Sequence, residues 1–241
     1  MKHIYILTAI ISTLLANSLG QILYALGVNR VLRTDSSVEG QEILVPFDLK
    51  VWEVLLYGIY KHRKLGKDFT TGLLVSSLSM FILAGQGLES WPVAIIHTVF
   101  LTAFWLSDAK YFLLPNILVF PAFFIEAIMQ YITEGFQLIN WVTCVVVFGL
   151  YAIVFIIASF TKSPFGGGDV KIMLFVSLWQ GPMILITLLL ANLFALTQAL
   201  RKRKKTVAFG PPLVIAILVT EVTAKPFITW LFDTLLKNGG I

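Results

Sequence analysis

Long apolar runs separated by short polar turns dominate the chain. Apolar stretches near the ~20 residues needed to cross a ~30 Å hydrocarbon layer occupy residues 3–27, 69–88, 92–106, 117–132, 140–160, 182–200 and 207–222, with a shorter run at 170–179. The pattern predicts an all-α, polytopic integral membrane bundle of about eight hydrophobic segments. As a helix the run at 170–179 is only ~15 Å long. Either its helix starts earlier, or Asp169 lies below the membrane surface, where a Gly-rich loop is tolerated if it lines a protein-walled cavity.

Composition supports lipid as the main solvent. Of 241 residues 58% are hydrophobic and 13% charged, whereas a soluble domain carries about a quarter charged residues. The net charge of +5 matters here through its placement. Arg30, Arg33, Lys50, Lys61, Arg63, Lys64 and Lys67 fall in the polar stretch 28–68, and alternation of the segments puts Lys110, Lys162, Lys171 and the run 201–205 on the same side. That side is expected to be cytoplasmic, with both chain ends outside. The basic run 201–205 reads first as an orientation anchor and second as a site for anionic headgroups. Nucleic acid binding has no aromatic or motif support. Lys2 with the small residues at 16–18 would also fit a cleavable signal peptide, but apolar sequence continues to Leu26, which favours a retained first helix. The single cysteine, Cys144, allows no internal disulfide and no Cys-x-x-Cys metal knuckle, so no zinc site is expected.

Ionisable residues within apolar runs carry the candidate chemistry, because each is costly in lipid. They are Asp108, Glu126, Asp169 and Glu221, with His97 beside them. Asp108 closes the third segment, and Pro115-Asn116 opens the next. Asp169 follows Gly166-Gly167-Gly168 and precedes Val170-Lys171. The predicted topology brings both aspartates to the membrane from one side. Two adjacent carboxylates can share a proton, one polarising a carbonyl while the other activates a water. An aspartate at a helix end is also a common cap, and glycine-flanked aspartates occur in many loops. The two motifs together, Asp-x6-Pro-Asn and then Gly-x-Gly-Asp-x-Lys, are far more specific than either.

On these motifs the chain resembles the type IV prepilin peptidase family of membrane aspartic proteases. Asp108, Pro115, Gly166, Gly168, Asp169 and Lys171 match its pattern, and Phe209-Gly210-Pro211 is a third family-like element. The resemblance implies that Asp108 and Asp169 are the catalytic pair and that Gly166, Gly167 and Gly168 shape the loop presenting Asp169. It further implies that the substrates are type IV prepilin-like or pseudopilin precursors, cut after a short basic leader at the cytoplasmic face of a bacterial plasma membrane, without a metal or other cofactor. Bifunctional members carry two Cys-x-x-Cys pairs in the first cytoplasmic loop and N-methylate the product with S-adenosylmethionine. This loop has no cysteine, which speaks against methyl transfer. Residues 1–68 then form a first helix and a degenerate methyltransferase-like loop, and residues 69–241 the peptidase domain.

His97 lies eleven residues before Asp108, and Glu126 eleven after Pro115. Eleven residues make about three turns, ~16 Å, so His97 shares a helix face with Asp108 and is expected to pair with Glu126 mid-membrane, bracing the third and fourth segments and fixing where Asp108 points, with a part in substrate passage as the alternative. Asn17 and Gln21 should share a face as interhelical hydrogen-bonding groups. The competing readings are a small proton- or ion-coupled transporter using the same acids, and an inactive pilus-assembly scaffold.

Overall fold

The computed structural model describes residues 8–23, 63–85, 90–112, 114–160, 167–202, 207–224 and 227. Gly166, most of the basic loop 28–68 and residues 203–205 of the second basic run lie outside the described residues. Among the described residues all regular structure is helical. Helix α1 is Thr8–Leu23 and α2 is Arg63–Met80, extended by a π turn at Phe81–Gly85. Helices α3 (Trp91–Tyr111), α4 (Asn116–Glu134) and α5 (Leu138–Phe160) follow. Then come α6 (Gly167–Gln180), a 3-10 turn at Gly181–Met183, α7 (Ile184–Lys202), and α8 (Gly210–Val219), which ends in a π turn at Thr220–Ala224. The predicted apolar segments each correspond to one of these elements, with ends shifted by a few residues.

Among the described residues four stretches are long and apolar enough to cross a membrane: Trp91–Tyr111, Asn116–Thr133, Leu138–Phe160 and Gly167–Arg201. The last is not one rod. Gly181 has φ +55°, left-handed backbone that glycine adopts at little cost, and its Cα faces the Asn140 side chain at the start of α5. Gly167 lies against Phe155, and Tyr151 shares a hydrogen bond with Asn192. Helix α6 therefore runs along α5 toward its Asn140 end, and α7 leads back to the level of Tyr151, so the chain reverses at Gly181. The short α6 starts three residues before its apolar run, which places Asp169 in its first helical turn.

Helix α3 is the centre of the bundle: every side chain from position 97 to 104 is buried, the signature of a helix enclosed on all sides. Phe104 packs against Phe175 of α6, at 5.7 Å between ring centroids, with Leu101, Ile172, Leu213 and Ile217 in the same core. On the opposite, outward faces Val145, Ile153, Ile157 and Phe160 of α5 and Leu185, Leu189 and Leu200 of α7 are exposed. Apolar surface on that scale is what a lipid-facing wall requires, and the fold is a helical membrane bundle. Small residues set the closest helix approaches: Gly72 lies under Asn17 and Gln21, Gly20 lies against Thr102, and the Ser76 and Thr102 hydroxyls bond at 2.9 Å. Asn17 and Gln21 share the expected face, and the Gln21 amide donates to Asn17 Oδ1.

Candidate active site at the basic end of the bundle

Asp108 lies in the last turn of α3 and is 5% exposed. The helix closes four residues later on Phe112, in left-handed backbone at φ 54°, whose N–H donates to the Asp108 carbonyl. The Asp108 side chain turns to another helix. The first N–H groups of a helix have no partner within it, and those of Gly210 and Phe209, where α8 begins, both donate to the Asp108 carboxylate. Asp108 thus acts as the N-cap of a helix more than a hundred residues away, and the positive end of α8 points at it. Glycine is required for this approach: a Cβ at 210 would sit 2.8 Å from the Asp108 Cβ and 3.2 Å from the Phe104 carbonyl oxygen.

Asp169 is presented by three local features. Gly168 packs so closely that a Cβ there would meet the Leu114 Cβ at 2.9 Å, while Gly167 faces the edge of the Phe155 ring at 3.5 Å. One turn on, the Lys171 ammonium donates to Asn116 Oδ1 at 2.8 Å. This bond ties the second turn of α6 to the first residue of α4. Pro115 occupies the cap position of α4 rather than its first turn, and its carbonyl accepts the N–H of Leu118. The motif spacing thus has a geometric reason, since Leu114 and Asn116 on one strand of chain receive Gly168 and Lys171 from the other. Tyr151, bonded to Asn192, stands within electrostatic reach of Asp169. Neither residue was singled out by sequence, because each is an isolated polar position in an apolar helix.

Packing fixes the relative level of the two acids. The His97 ring lies on Trp179, with centroids 3.9 Å apart, and Phe104 meets Phe175 further along, so α3 and α6 are antiparallel. From this shared level Asp108 is eleven residues away on α3 and Asp169 ten residues away on α6, or ~16 and ~15 Å of helix in the same direction. Both aspartates come to one end of the bundle, together with Lys110 and Lys171.

The expected partner pair also forms. His97 Nε2 and Glu126 Oε2 are 2.7 Å apart, with the residues 2% and 5% exposed. The pair joins α3 to α4 at the level of Trp179, well away from Asp108. Among the described residues no three of His, Cys, Asp and Glu gather in a group that could hold a metal ion.

Residues 95–200 match the model of the type IV leader peptidase family. The matched segment begins just before His97, includes Asp108, Pro115 and the Gly166 to Lys171 motif, and ends in α7. No curated protein and no solved structure matches the chain.

Proposed function

We propose, from the type IV leader peptidase family to which residues 95–200 belong, that this peptidase is an aspartic endopeptidase removing the short basic leader from type IV prepilin-like or pseudopilin precursors. Asp108 and Asp169 are the catalytic pair. One carboxyl, protonated, donates to the scissile carbonyl oxygen. The other, ionised, takes a proton from the attacking water. Water oxygen bonds to the carbonyl carbon, the C–N bond of the resulting tetrahedral species breaks, and the departing amine takes up a proton from the dyad. The observation that carries this reading is the common level of the two aspartates at one end of the bundle, with Asp108 held by the start of α8 and Asp169 on a helix whose start packs against residues 114–116.

Each support has a role in that chemistry. The N–H groups of Phe209 and Gly210 orient the Asp108 carboxylate, and positioned carboxylates lower the entropic cost of assembling the reacting groups. Gly168 lets the start of the Asp169 helix approach Leu114, Gly167 packs beside Phe155, and Lys171 fixes the helix there through Asn116. The basic residues at this end favour the cytoplasmic side of a bacterial plasma membrane, so the leader is released into the cytoplasm. Residues 69–241 form the peptidase domain and the basic stretch 28–68 receives substrate, its last six residues already belonging to α2. The reaction needs no metal or cofactor, and the cysteine-free loop gives no reason to invoke zinc or S-adenosylmethionine. Co-expression with a candidate precursor, followed by intact mass, tests the assignment: the precursor should lose its leader, with no added methyl group. A precursor of unchanged mass would contradict it.

A further inference from the structure

The half of the bundle remote from the aspartates contains buried polar groups that the proposed reaction does not touch, and they converge on one turn of one helix. Leu178, Trp179 and Gln180 close α6, and each is engaged from a different direction. Trp179 carries the His97 ring of α3 on its face, at 3.9 Å and 31° between planes, and His97 is bonded to Glu126 of α4. The Leu178 carbonyl accepts the Gln130 side-chain amide at 3.2 Å, one turn beyond Glu126 on α4. In an unbroken helix that carbonyl would pair with the N–H four residues on, but residue 182 is proline and has none. Gln180 donates to Glu221 at 3.3 Å and accepts from Thr187 at 2.6 Å, and the Thr187 hydroxyl bonds Thr220 at 2.9 Å.

Polar pairs buried in a lipid-facing bundle are expensive unless fully engaged, and apolar side chains would fill the same space. What hydrogen bonds add is direction. An apolar α6 packed on apolar neighbours can rotate or slide at small cost, and one residue of rotation turns a side chain by ~100°. The near end of α6 is held by the close approach of Gly168 to Leu114 and by the Lys171–Asn116 bond, the far end by the contacts just described, and Asp169 lies nine residues before Leu178 on this same helix. A helix of two or three turns is stiff on that scale, so holding its last turn sets where its first turn points.

We infer that His97, Glu126 and Gln130 are positioning residues for Asp169, acting through Trp179 and Leu178 to fix the rotation and register of α6 against α3, the helix that carries Asp108. The inference rests on the peptidase reading for its catalytic consequence, but the positioning itself is measurable without activity.

The experiment compares purified wild type with Glu126→Leu, Glu126→Gln and Gln130→Met. It reads kcat and KM on a purified precursor, and backbone hydrogen exchange of residues 171–176 in the same detergent preparation. Glu126→Gln retains a partner for His97 and should stay within about threefold of wild-type kcat, whereas Glu126→Leu should lower kcat about tenfold or more with KM within about twofold, as loss of positioning alone requires. Exchange at 171–176 should rise in Glu126→Leu and, more weakly, in Gln130→Met, while α5 and α7 remain protected. If Glu126→Leu fails to fold, Gln130→Met, which deletes a single hydrogen bond, carries the comparison. The inference is overturned if kcat is unchanged in the folded variants, if kcat falls equally in Glu126→Gln and Glu126→Leu, or if exchange rises uniformly over the whole bundle, the mark of a brace with no directional role. If wild type cleaves no precursor, the peptidase reading fails, and the exchange at 171–176 alone decides whether these residues hold α6.

Discussion

The Gly210 N–H donates directly to the Asp108 carboxylate across a sequence separation of 102 residues, so the start of α8 and the end of α3 form one structural unit. A methyl group cannot be inserted between them. We predict that Gly210→Ala, whose Cβ would meet Asp108 and the Phe104 carbonyl oxygen, costs about 1–3 kcal/mol of stability by overpacking and lowers cleavage at least tenfold. Thermal melting in detergent and a leader-cleavage gel shift check the two effects separately.

The two described glycines before Asp169 should respond in opposite ways. Gly167 lies in the first turn of α6 with only the Phe155 ring at 3.5 Å, an ordinary van der Waals distance. Gly167→Ala should therefore be neutral or stabilise by up to about 1 kcal/mol, by reducing the freedom of the unfolded chain. Gly168→Ala puts its methyl into the Leu114 Cβ and should impair both folding and cleavage. Equal tolerance of the two substitutions would contradict the described approach of α6 to the 114–116 segment.

Lys171 and Asn116 should behave as a coupled pair. Their bond, at 2.8 Å, lies at an exposed end of the bundle, so a modest coupling of about 0.5–1.5 kcal/mol is expected. Lys171→Met and Asn116→Ala should each lower kcat/KM a few-fold, and the double variant should be no worse than the poorer single one. Strict additivity in this double-mutant cycle would show that the bond does not form in the working enzyme.

At the other end of α6, Gly181 reverses the chain in left-handed backbone against Asn140. Gly181→Ala should destabilise the protein by about 1–2 kcal/mol, and more if Asn140 cannot yield. Asn140→Ala should partly relieve the loss, measurable as recovery of the melting temperature.

Much of this architecture is legible in the sequence, for reasons that differ by feature. Segment positions follow from hydropathy, because the backbone in lipid must satisfy itself within each helix. The His97–Glu126 pair follows from helical periodicity, since eleven residues return to the same face and ionisable groups in lipid seek one another. The short run at 170–179 was ambiguous because helix α6 begins within the glycines, which carry no hydrophobic signal. The attachment of Asp108 to Gly210 was not legible, although Phe209-Gly210-Pro211 stands out as a motif, because no local pattern shows which remote acceptor a helix N-terminus will meet. The cluster joining Gln180, Thr187, Thr220 and Glu221 was missed for the same reason. One signal was available: Pro182 deprives the Leu178 carbonyl of its helical donor, so a polar side chain had to replace it, and Gln130 is the residue that does.

The central claim is that Asp108 and Asp169 together cleave a prepilin-type leader. Its most direct test is leader removal, followed by gel shift and intact mass, in cells expressing a candidate precursor with wild type, Asp108→Asn or Asp169→Asn at matched levels. The account predicts complete processing by wild type and an intact leader with either variant, since an amide can neither take the proton from water nor hold the shared proton. Processing at the wild-type rate by either variant would contradict it.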